Sequence, residues 1–227
     1  MLLSTHEPAH ESRPLPAESL LYAPTPRGTR CVGSTSFFNE AYRGDPPWDI
    51  GRPQPVFEKL AVSEDLGDEI IDVGCGTGEH AILFASRGYR VLGVDSAPLA
   101  IEKARAKASQ RGSKAEFLVA DALHLSELRR VFDAAVDSGL FHVFSDRDRT
   151  SYVESLRAVL RPGGRYYMLC FSDKEPVGWG GPRRIFKNEI TKSFSDGWRV
   201  DYIRPAKFES AFHNRGGEAW FSRVSKT

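Results

Sequence analysis

An α/β fold built on a Rossmann-like, mostly parallel sheet of seven strands is predicted by three observations on this chain. Apolar, β-rich runs alternate with helical patterns from Pro55 onward. A glycine-rich turn, IIDVGCGTGEH, joins the first such run to the helix behind it. The pattern then closes in two long extended stretches suited to a C-terminal antiparallel hairpin. Strand followed by helix, repeated, implies parallel pairing with helices on both faces of the sheet.

Taken in order, residues 1–34 are rich in Pro, Ser and small polar side chains and lack an apolar signal core, so they read as a mobile tail. The alternative is that Leu20, Leu21 and Tyr22 fold over the site. Next comes DPPWDIGRPQP, Asp45 to Pro55, whose four prolines shape a loop that costs little entropy to order. Its Trp48 either plugs the edge of a core or covers a ligand, as part of a lid over about residues 37–55. VFEKLAVSEDL follows as a helix. The strands are EIIDV, RVLGV, EFLVA, FDAAV and RYYMLCF, and the helices between them EHAILFASRG, PLAIEKARAKASQRG and RDRTSYVESLRAVLRPGG. Gly88, Gly112 and Gly163 stand where these helices should end, and Pro98 lies in a first turn with Ser96 as its cap. WRVDYIRPAKFESAF and EAWFSRVS complete the sheet as strands joined by HNRGG. Residues 35–227 thus read as one domain without repeats.

Composition narrows the function. The net charge of +1 over 227 residues, with only a mild basic excess after Arg183 and no dense run, gives no footprint for nucleic acid. No apolar run approaches a membrane span, and the three cysteines show no C-x-x-C spacing, so a soluble, cytoplasmic monomer or homodimer is expected. The histidines have no close ligand spacing, and no metal is expected.

The chemistry gathers at the strand ends. Gly74, Gly76 and Gly78 follow Asp72 directly, and glycines there let backbone approach a ligand at the start of a helix. The spacing is tighter than the G-x-G-x-x-G of dinucleotide enzymes, which counts against a nicotinamide cofactor. Asp95, Asp121 and Asp137 end the next three strands, so four successive strands deliver a carboxylate to the edge where open α/β sheets bind ligands.

DVGCGTG, the GVD of the second strand, the AD of the third and the RPGG before the fifth resemble the class I S-adenosylmethionine-dependent methyltransferases. The likeness covers roughly Pro55 to Asp173 and the closing hairpin. It implies that Gly74, Gly76 and Gly78 meet the methionine part of S-adenosylmethionine, that Asp95 holds the ribose, and that Asp121 with Ala122 meets the adenine. It further implies that Asp137 faces the amino-acid part and that Asp72, Cys75 and Ser96 also belong to the cofactor site. PPWDIGRPQP, DSGLFH and IRPAKF carry a narrower resemblance, to the heterocyclic toxin methyltransferases acting on hydroxylated quinolones and quinol-like compounds. A related PWD-G element occurs in thiol and halide methyltransferases, with thiopurine methyltransferases more distant. The resemblance makes Trp48 a lid aromatic and implies metal-free, in-line O-methylation of a small aromatic or heterocyclic acceptor. Thiol or halide methylation is the alternative, and a non-catalytic cofactor-binding module or a nicotinamide oxidoreductase are the other classes. Phe141, Phe144, Trp179 and Phe186 lie on the acceptor edge as pocket or core, and His142 stands there as a base or a positioning group.

Overall fold

The computed structural model describes residues 35–176, 178, 181–211 and 213–227. The stretch read as a tail, and Trp179, lie outside the described residues. The strands β1 (Glu69–Val73), β2 (Arg90–Asp95), β3 (Glu116–Val119), β4 (Phe132–Ser138), β5 (Leu160–Phe171), β6 (Trp198–Ser210) and β7 (His213–Lys226) form one seven-stranded sheet. Its order is β3-β2-β1-β4-β5-β7-β6, parallel from β3 to β5, with β7 antiparallel between β5 and β6. The order reverses between β1 and β4, which opens a crevice at the carboxyl ends of these strands.

Period-two alternation sorts the strand side chains into two layers. Ile70, Val91, Ala134, Tyr167 and Leu169 pack with Phe57 and Leu60 of α2 (Pro55–Ser63), Phe84 of α3 (Glu79–Ser86) and Ile101 of α4 (Pro98–Gln110). Ile71, Leu92, Ala135, Tyr166 and Met168 pack on the other face with Tyr152 and Leu156 of α5 (Asp146–Val159) and Ile190 of α6 (Lys187–Ser193). Phe57 and Phe84 are fully buried, so cutting either to Ala would cost about 3–5 kcal/mol. Ser145 caps α5 by accepting from the Asp148 amide, with Asp146 and Asp148 suited to the positive end of the helix. Among the described residues no helix is long and apolar enough to cross a membrane.

Three local expectations are corrected. Gly163 does not end α5, which stops at Val159; it sits where the β4/β5 register slips between Phe132↔Leu160 and Ala134↔Arg165. Ser96 does not cap α4. The N-cap is Ala97, whose amide is taken instead by the Asp95 carboxylate. HNRGG is not a turn but the start of β7, because pairing of Ser210 with His213 shortens the connection.

Ahead of α2, a short helix, α1 (Thr35–Ala41), and the proline-rich segment cross the crevice from α4 to β6. Asn39 accepts from the Leu99 amide and Lys103 donates to Gly44 O at one end. At the other, Ala211 N donates to Pro47 O, and Gln54 pairs with the Glu209 backbone in both directions.

Candidate functional site

Beneath this lid lies a cavity of about 760 Å³, within the roughly 300–1,000 Å³ common for small-molecule sites. Gly74 and Gly76 of the glycine loop line it, while Gly78 lies just behind at the start of α3 and does not. Gly74, Gly76 and Gly78 all have positive φ, and a Cβ would stand 3.1 Å from Leu140 at Gly74, 2.7 Å from the Tyr42 hydroxyl at Gly76 and 2.6 Å from the Phe117 ring at Gly78. The loop therefore needs bare backbone at these positions. It hangs from β2, with Gly74 N and Cys75 N donating to Val94 O.

Asp95, the last residue of β2, projects off the strand into the crevice. Its carboxylate accepts from Gly76 N and Ala97 N, both at 2.9 Å, and so is oriented by the loop it supports. Burial pushes its carboxyl up, against the pull of these amides. Glu79, at the start of α3, is buried, but Arg111, the C-cap of α4, and Lys107 in its last turn hold its carboxyl below the usual range and brace the loop from behind. Ser96, Cys75, Asp121 and Ala122 also line the cavity, Asp121 exposed at the rim with His124 Nδ1 3.1 Å away.

Asp72 and Asp137 do not line the cavity. Strand parity decides this: Asp72 shares its face with Ile70 and turns toward α3, while Asp137 shares its face with Ala135 and turns toward α5. Asp72 accepts from Ala81 N, and burial pushes its carboxyl up to about 8. Asp137 takes bonds from Leu140 N, Phe141 N, Tyr152 and Tyr166, yet burial still raises it to about 6. Both brace loops around the site from inside the layers.

In the lid, Trp48 is half-buried and lines the cavity, edge-on to Phe38 at 5.8 Å and Tyr42 at 6.2 Å, its Nε1 donating to the Tyr42 hydroxyl at 3.0 Å. It is a packing residue and a lining residue at once. The Gln54 backbone N–H donates to His80 Nε2, which places that ring's proton on Nδ1.

The opposite end of the cavity is aromatic. His142, 4% exposed, stacks on Phe171 at 5.2 Å and 13°, and Phe208 lies against both rings. Its Nδ1 accepts from Phe171 N at 3.1 Å. Burial, with the Arg184 and Arg149 cations, pushes the imidazole down to about 3. With Nδ1 taken by the Phe171 amide, the neutral ring has no free lone pair, so of the two roles expected for His142, base or positioning group, this geometry favours positioning. Phe144 lines the cavity, but Phe141 and Phe186 do not. Phe141 is core, stacked on Phe194 with the Arg149 guanidinium over its ring, and Phe186 is 55% exposed at the start of α6. Arg183 closes one wall, paired with Asp146 and Glu189.

Tyr42, Gln54, Phe171, Phe208 and Arg183 were not singled out from sequence. Phe171 had a usable signal, since it ends β5 on the ligand-binding edge. The others reach the cavity only through long-range docking. The lining suits the expected cofactor: Asp49, Asp95, Asp121 and Asp148, carboxylates without a Lys or Arg ion pair among the described residues, fit hydroxyls, an amine and a cationic centre. A pyrophosphate would meet carboxylates there, while Arg52 and Arg183 are already ion-paired.

A family model for a methyltransferase domain matches residues 70–164. The 2-heptyl-1-hydroxyquinolin-4(1H)-one methyltransferase of Mycobacteroides abscessus is 34% identical over 180 residues, covering 75% of this chain and 79% of that protein. A solved structure on the conversion of a disulfide bond into a thioacetal group during echinomycin biosynthesis superposes with a TM-score of 0.77 at 33% identity. The match covers 85% of this chain and 93% of that one. The fold recurs in magnesium protoporphyrin IX methyltransferase from Synechocystis, solved with S-adenosylmethionine bound, at 19% identity and a TM-score of 0.59 over 76% of each chain.

Proposed function

The chain belongs to the S-adenosylmethionine-dependent methyltransferases, and we propose that it methylates an oxygen of a small, flat, hydroxylated heteroaromatic acceptor. The observation that carries this reading is the aromatic cluster of His142, Phe171 and Phe208, which packs ring on ring and lines the cavity with apolar surface suited to a flat aromatic guest. The relative named for a hydroxyquinolinone supports it. A sulfur acceptor is the second reading, favoured by the likeness to the protein of the disulfide-to-thioacetal study.

Residues 35–227 act as one catalytic unit, with residues 37–55 as its lid. The glycine-loop backbone would hold the methionine part of the cofactor, Asp95 and Ser96 the ribose, and Asp121 with Ala122 the adenine. When bound, S-adenosylmethionine supplies a methyl group already activated on a sulfonium. The chain's own work is then to align the acceptor, through the aromatic wall, and to exclude water, through Trp48 and the docked lid.

Labelled S-adenosylmethionine with a panel of hydroxyquinolones, quinols, thiols and halides tests this. Turnover is expected for the hydroxylated heteroaromatics. Turnover confined to thiols or halides, or none at all while the cofactor binds, would overturn the acceptor class.

A further inference from the structure

Both histidines lining the cavity accept a hydrogen bond from a backbone amide, on opposite nitrogens. His80 accepts at Nε2 from Gln54, and His142 accepts at Nδ1 from Phe171. A backbone N–H cannot reverse its polarity, so the neutral His142 ring carries its proton on Nε2. Among the described residues Nε2 has no hydrogen-bond partner, and a Cβ on Gly139 would lie 3.4 Å from it. The charged groups facing the ring are the Arg184 and Arg149 guanidiniums, both positive; Phe171 and Phe208 cover its faces.

Resting on the methyltransferase reading above, we propose that His142 is a fixed N–H donor that selects acceptors entering the cavity as anions. The class is the N-hydroxy and enolic heteroaromatics, whose oxyanion or conjugated carbonyl takes the Nε2–H bond. A neutral hydroxyl would need a lone pair to receive its proton, and a donor nitrogen offers none. With an oxyanion the step balances without a base. An oxygen lone pair forms the bond to the methyl carbon, the pair of the broken carbon–sulfur bond stays on sulfur, and a negative and a positive charge vanish together. A cavity screened from bulk water under the lid favours that loss of charge. A disulfide or thioether sulfur, a weak acceptor, gains little from the same N–H.

The test uses the full chain and a series of hydroxyquinolones of rising pKa. At saturating cofactor, the acid limb of kcat/KM is expected at each acceptor's own pKa. His142→Gln, which keeps an N–H donor, should stay within about tenfold of wild type, and His142→Leu should lose roughly 10–100-fold with the limb unmoved. A limb at one pKa for every acceptor, lost in His142→Leu, would make His142 the base and overturn the proposal. Independently of any variant, a long-range 1H–15N spectrum of the wild type should show the His142 proton on Nε2 from pH 6 to 8. A proton on Nδ1, or titration in that range, would overturn it. If no ionisable acceptor turns over, the acceptor reading fails, and the spectrum still decides the state of His142.

Discussion

Removing the Gln54 side chain should free the lid while leaving the sheet folded. Gln54 is 3% exposed, and its amide works as a strand partner: Nε2 donates to Glu209 O at 2.7 Å and Oε1 accepts from Glu209 N at 2.8 Å. Gln54→Ala deletes both bonds. Each is worth about 0.5–1.5 kcal/mol net, rising to about 1–3 where the abandoned partner stays buried. Glu209 is only half-buried, so water repairs part of the loss, and about 2–4 kcal/mol is the expected total. The Ala211-to-Pro47 bond survives, and the Arg52–Glu209 pair is exposed enough to add less than about 1 kcal/mol. A change of 2–4 kcal/mol shifts lid docking by roughly 30- to 1,000-fold. Apparent cofactor affinity falls once the docked lid is no longer the major form, because only that form binds fully. Calorimetry should then show affinity at least about tenfold weaker, and hydrogen exchange should speed up for the amides of Trp48 to Arg52, with the strands of the sheet unchanged. Equal exchange and equal affinity in Gln54→Ala and wild type would refute the clamp. Faster exchange across β1 and β4 would show instead that Gln54 supports the whole fold.

Asp95→Ala should weaken S-adenosylmethionine binding at least about tenfold by calorimetry, through lost charge-assisted bonds and a loosened Gly76; unchanged affinity would remove Asp95 from the site. Trp48 should report cofactor binding by fluorescence, and Tyr42→Phe, which removes the Nε1 acceptor, should alter that signal; a cofactor-induced change identical in wild type and Trp48→Phe would return Trp48 to packing alone. Asp72 has a folded pKa of about 8 against about 3.9 unfolded, so its contribution is complete below pH ~4 and is lost as pH rises through ~8. Cofactor-free wild type should accordingly melt at lower temperature from pH 5 to 9, and Asp72→Asn should flatten that slope; parallel slopes would show that Asp72 is not the titrating group.

The chain by itself determined whatever depends on neighbours in sequence. Period-two apolar runs and the spacing of Gly74, Gly76 and Gly78 are local, so the parallel sheet, the bare loop and the place of Asp95 at the end of β2 could be read before any contact was known. Where the reading failed, a long-range contact was the cause. Asp72 and Asp95 look alike in sequence, but one turns into a packed layer and the other leaves the strand end for the cavity. Phe141 and His142 are adjacent, yet Phe194 draws the first into the core and the Phe171 amide holds the second at the cavity wall. Gln54 finds its partner in Glu209, 155 residues away. Burial and hydrogen-bond polarity belong to the packed neighbours of a side chain, and only the folded sheet chooses those neighbours. So residue types could suggest a histidine that takes a proton, while only the tertiary structure showed a backbone N–H already aimed at its Nδ1.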